Sequence, residues 1–144
     1  MTDSLENTEI REGASGPIVD LRRLLREMRP RAHEGTYAFC LLPEGARLPS
    51  SAVFMFRERE GVSVVLPTTE ARALGLTVVA EASWITLEVY SSLEAVGLTA
   101  AVARVLSEVG IPCNMVAALH HDHLFVPVER GQDALAALER LTAP

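Results

Sequence analysis

Ser83 to Ile111 reads SWITLEVYSSLEAVGLTAAVARVLSEVGI, and a change of period inside it decides the fold. Ile85, Leu87 and Val89 alternate with Thr86, Glu88 and Tyr90, the two-residue period of a half-buried strand. Past the small and polar turn that begins at Ser91 the period becomes helical. Leu98, Val102, Val105 and Val109 share one face, while Arg104, Ser107 and Glu108 share the other. Gly110 followed by Pro112 closes the helix. Downstream, Cys113–Leu119 reads as a strand, His121 and Asp122 as a tight turn, and Leu124–Val128 as the hairpin partner, with Pro127 at an edge or strand end. Ala134, Leu135, Leu138 and Leu141 give the last helix its inner face.

Working upstream, Ile18, Leu21, Leu24, Leu25 and Met28 predict an amphipathic helix with Pro17 in its first turn and Pro30 at its end. Thr36–Leu42 follows as a strand whose two faces are both fairly apolar. Ala52–Phe56 and Val62–Leu66 are two further strands, joined by a charged turn over Arg57–Gly61. Thr68 is placed to cap a short helix that Gly75 terminates. Helices interleaved with hairpins predict an α+β, ferredoxin-like βαββαβ-type sandwich: a mixed, mostly antiparallel sheet with its helices on one face. The stretch from Ser83 lacks a closing strand of its own. It is expected to borrow one from the first half, with strand Trp84–Tyr90 central to both halves.

Composition narrows the chemistry. The chain has 144 residues, 13 Lys plus Arg and 19 Asp plus Glu, for a formal charge of -6. That balance opposes a nucleic-acid partner. All the basic side chains are arginine, so no lysine is present to form a Schiff base or a phosphate-loop contact. The polar, acidic N-terminus does not resemble a signal peptide, and no apolar run is long enough for a membrane span, so a cytoplasmic protein is expected. Cys40 and Cys113 sit in apolar strands, where burial raises a thiol pKa and makes an inert, reduced cysteine.

The strand Trp84–Tyr90, the segment Ser91–Ile111 and the segment Pro112–Leu135 together resemble the ACT domain family, in particular compact bacterial members that stand alone without an attached enzyme. Residues 1–16, polar and charged without periodicity, are expected to form a disordered tail, and the resemblance implies two ACT-like units sharing a core, a first at 17–80 and a second at 81–144. In this family a turn of small residues joins the first strand to the first helix, and amino acids often bind against it. Val96, Gly97 and Leu98 occupy that turn here, with Val96 where proline is usual. Asn114 and Met115 match the polar and apolar pair on the following strand. The resemblance implies an amino acid or similar carboxylate as ligand and a homodimer as the assembly. With the turn around Glu94, the hydroxyl of Thr99 and the nearby His123, the expected ligand site comprises Glu94, Val96, Gly97, Leu98, Thr99, Asn114, Met115 and His123. A glycine at a helix start offers unpaired N–H groups to a carboxylate, and Thr99 and Asn114 can add hydrogen bonds.

His120, His121, Asp122 and His123 are metal-ligand residue types. Neighbouring side chains on a strand point to opposite faces, so this segment offers at most two ligands on one side. A hairpin turn is the simpler account, with a ligand-contacting or pH-sensitive role open for His123. No nucleophile elbow or glycine-rich phosphate loop is present. The expectation is a regulatory, non-catalytic protein that needs no cofactor. Two rivals are an oligomerisation module without a ligand and a metal-binding sensor or enzyme built on His120–His123.

Overall fold

The computed structural model describes residues 16–144, so nearly all of the expected N-terminal tail lies outside the described residues. Helix α1 (Leu21–Glu27) is shorter than the interval between Pro17 and Pro30 suggests. Asp20 caps it, accepting from the Arg23 amide at 2.8 Å, and the chain before the cap is extended enough for Ile18 to bridge Ser91 in parallel. Pro30 does more than stop the helix, because it lies inside a strand, β1 (Arg29–Ala32). Four residues containing a proline carry no alternating apolar signal, so β1 was not foreseen.

Strands β2 (Tyr37–Leu42), β3 (Phe54–Glu58) and β4 (Gly61–Pro67) follow, with a tight turn at Arg59 and Glu60. Helix α2 (Thr68–Ala73) comes next, and here the expected Thr68 cap is displaced. Thr68 is the first helical residue, and its Oγ1 accepts from Thr36 Oγ1 at 2.9 Å instead of capping. The second half runs β5 (Ala80–Glu88), α3 (Leu98–Glu108), β6 (Asn114–Ala117), β7 (Asp122–Pro127), a 3-10 turn (Val128–Arg130) and α4 (Gly131–Thr142). Asp122 therefore opens a strand and is not part of the turn.

The strands make one sheet of order β3-β4-β2-β5-β7-β6, with β1 also paired to β5 and every strand pair antiparallel. Strand β5 organises it. Along one edge its start, Ala80–Ala82, pairs with β2 and its end, Ile85–Glu88, pairs with β1. Its other edge pairs with β7. So β5 closes a first four-stranded set (β5-β2-β4-β3) and opens a second (β1-β5-β7-β6), whose closing strand β1 comes from near the N-terminus. Each set has the strand order of a ferredoxin-like unit. The first set carries no helix between β2 and β3, where Pro43–Val53 is irregular.

Register places all four helices on one face. Ile85, Leu87, Leu124 and Val126 point from the sheet into a core shared with Leu24 and Met28 near α1, Val102 and Leu106 of α3, and Ala134 and Leu138 of α4. A second core on the same face packs Ala38, Cys40, Val64 and Leu66 against Ala71 of α2. Full burial of each Leu, Val or Met contributes about 1.5–3 kcal/mol, so α1, though short, is anchored by Leu24 and Met28, both 0% exposed. Among the described residues no helix covers the opposite face. Tyr37, Phe39, Phe54, Trp84 and Phe125 cluster there, with Phe56 more exposed beside them.

Candidate ligand site

The turn between β5 and α3 borders an open cavity of about 550 Å³. Its floor follows from chain direction. β5 delivers Ser91 and Ser92, α3 starts there with Leu98, Thr99 and Ala100, and the hairpin contributes Ala117 from the end of β6 and Asp122 from the start of β7. Gly97 precedes α3 with φ +106°, and a Cβ at that position would stand 2.8 Å from Leu21 Cδ2. The left-handed backbone is what favours glycine here, since Leu21 is a flexible side chain that can give way. Because glycine has no side chain to cap the helix, the first N–H groups of α3 face the cavity without a capping acceptor. They carry the partial positive charge of the helix start.

Across from them lies Asp122, only 8% exposed, whose Oδ2 accepts from Ser91 Oγ at 2.8 Å. The cavity thus has a positive wall made of backbone and a negative wall made of one buried carboxylate. An α-amino acid carries the complementary pair of charges. Leu93, 67% exposed, and Val96, 83% exposed, stand at the lip.

Of the residues expected at the site, Val96, Gly97, Leu98 and Thr99 line the cavity. Glu94 lies within the turn, its amide donating to Ser92 Oγ at 3.1 Å, but it is not on the cavity wall. Asn114 and Met115 are brought elsewhere. α3 runs back down the sheet before β6 begins, so Asn114 starts at the far end, opposite Phe125, and Ala117 arrives at the turn instead. His123 lies on the uncovered face, next in chain to Asp122 and on the other side of the sheet. Ser91 and Asp122 were missed because they are 31 residues apart and meet only through the sheet.

The histidine segment disperses. His121 Nδ1 lies 3.1 Å from Val89 O, His120 packs on Tyr90 at 5.0 Å between ring centroids, and Asp122 is held by Ser91. His123 Nδ1 accepts from Trp84 Nε1 at 3.1 Å and lies 3.0 Å from Thr86 Oγ1. Among the described residues no three His, Cys, Asp or Glu side chains are grouped to hold a metal ion. Burial pushes both Cys40 and Cys113 thiols up, which disfavours the thiolate. No helix among the described residues is long and apolar enough to cross a membrane.

A ferredoxin-like sheet doubled around one shared strand, with a glycine turn feeding its second-unit helix, is the architecture of two ferredoxin-like units in tandem. Two family models, both described as ACT domain, match residues 16–83 and 79–140. The chain belongs to the ACT-domain family. A search of curated proteins gives no match. Among solved structures, a Vibrio cholerae protein of unknown function, described as a possible transport protein, is 42% identical, with a TM-score of 0.74 over 85% of this chain and 96% of that one. An Agrobacterium tumefaciens protein is 19% identical, with a TM-score of 0.66 over 80% and 89% of the two chains. The regulatory subunit of aspartate kinase from Thermus thermophilus, in a ligand-free form, shares the fold at 8% identity, with a TM-score of 0.59 over 80% and 97%. ACT domains are typically ligand-binding regulatory units.

Proposed function

We propose that this protein is a non-catalytic sensor of a small amino acid, cytoplasmic and homodimeric, with its ligand in the cavity between the start of α3 and Asp122. The observation that supports it is the paired polarity of that cavity: uncapped N–H groups at Leu98–Ala100 for a carboxylate, and a buried Asp122 for an ammonium. A helix end alone contributes only about 0.3–1 kcal/mol to an exposed anion, so the second charge carries the selectivity for an amino acid over a simple carboxylate. Thr99 adds a hydroxyl, and Val96, Gly97 and Leu98 shape the wall. Asn114, Met115 and His123 take no part in this version of the site. The exposed Leu93 and Val96 at its lip fit coverage by a second copy, which would close the cavity against water.

A thermal-shift panel of the twenty amino acids tests the reading. At about 100 times its dissociation constant a ligand adds about 2.7 kcal/mol of stability, a readily measured rise in melting temperature. Asp122→Asn keeps the shape and removes the charge, and it is expected to abolish the response. If no amino acid shifts the wild-type protein, or if Asp122→Asn responds as strongly, the proposal fails.

A further inference from the structure

The uncovered face of the sheet holds a second cavity, of about 130 Å³, at a distance from the Gly97 turn. Val53 and Phe54, at the β3 edge, and Val116 and Ala118, at the β6 edge, line the same space, so the sheet curls over its aromatic face. Trp84 and Phe125 complete the lining with His123. The indole is fixed from both sides. His33 stacks on it at 3.4 Å between centroids and 4° between planes, and Phe125 lies nearly parallel at 6.4 Å.

His123 supplies the polar handle. An indole N–H only donates, so the bond from Trp84 Nε1 makes His123 Nδ1 an acceptor and places the proton of the neutral ring on Nε2. Among the described residues no protein acceptor is found for that Nε2–H, and it is not among the buried unpartnered atoms. Burial lowers the His123 pKa, with His121 adding to the effect and Asp122 opposing it, in keeping with a neutral ring.

We propose that this cavity is a binding site for one small aromatic molecule bearing a hydrogen-bond acceptor, its ring against Trp84, Phe54 and Phe125 and its acceptor on His123 Nε2–H. Size supports the class: an apolar cavity of about 150 Å³ holds benzene, so about 130 Å³ with an open mouth holds a single substituted ring. Chemistry supports it too, because an apolar space with aromatic walls and one donor holds water poorly. The site is independent of the amino-acid reading, since it shares no lining residue with the Gly97 cavity.

Phenol is the probe and benzene the acceptor-free comparison. Trp84 is the only tryptophan, so its indole N–H gives a single resolved signal in a proton–nitrogen correlation spectrum. Phenol is expected to shift that signal saturably and to bind about fivefold more tightly than benzene, the effect of one neutral hydrogen bond. His123→Phe keeps the ring and removes the N–H, and it should bring the two probes to about equal affinity. Val116→Phe fills the space and should abolish both responses. Nuclear Overhauser contacts from bound phenol to the methyls of Val53 and Val116 place the probe in the wild-type protein even if a variant fails to fold. A linear, unsaturable shift, equal affinity for phenol and benzene in the wild type, or contacts only to residues outside this cavity would each overturn the proposal.

Discussion

At Gly97 the backbone φ is +106°, and a Cβ there would stand 2.8 Å from a methyl group of Leu21. Leu21 can move, so backbone strain dominates the cost of Gly97→Ala, about 1–3 kcal/mol of destabilisation by urea unfolding. On the other face of the sheet, His33 and His123 make the residue-scale pH dependence. Burial lowers the pKa of His33, helped by Arg31 and His123 and opposed by Glu88. Burial likewise lowers that of His123. The folded state thus binds fewer protons than the unfolded chain below the ordinary histidine value of 6.5, so stability is full above that value and is lost as pH falls through the lowered values. Urea midpoints measured at about pH 7.5 and about pH 5.5 should differ less in a His33→Gln, His123→Gln double variant than in the wild type. An undiminished difference would assign the slope to other groups.

Among the elements, α3 was the most legible and β1 the least. Leu98 and Val102 of the expected inner face are buried, and Gly97 and Gly110 mark the two ends. Val105 is only partly buried, however, Val109 is exposed, and Leu106, outside the expected set, fills the core because the helix period of 3.6 carries the buried stripe toward it. Truncating Leu106 to Ala, at 0% exposure, should cost about 2–5 kcal/mol by the same unfolding assay, against little for its exposed neighbour Ser107. β1 was hidden because its sequence, RPRA, has no apolar alternation. What makes it a strand is the free edge of β5, and Arg31 adds an ion pair with Glu88 across that pairing. The same limit applied to the site. The turn at Val96–Thr99 is local, its helix start readable in the sequence and its place in a site implied by the family resemblance, whereas Asp122 reaches Ser91 only because β7 lies beside β5. Asn114 lies away from the turn because the direction of α3, not the identity of the residue, decides which end of β6 meets it.

For the whole molecule, the central fact is that β5 serves two four-stranded sets at once, and that the second set is completed by residues from the opposite end of the chain. Ile18, Leu24 and Met28 belong to the core beneath α3 and α4. A fragment comprising residues 80–144 should therefore lack cooperative thermal unfolding by circular dichroism, having lost β1, α1 and that apolar cover. Cooperative folding of the fragment alone would contradict the shared-strand architecture. This coupling also gives a ligand at the α3 turn a route to the rest of the protein, since Ser91 touches Asp122 of β7 and bridges to Ile18 ahead of α1. The most direct test of the sensing account is a set of proton–nitrogen correlation spectra recorded with each of the twenty amino acids in excess. The account predicts that at least one amino acid shifts the Leu98, Thr99 and Ala100 amides saturably and leaves Asn114 in place. Spectra unchanged at those three amides for all twenty would contradict it.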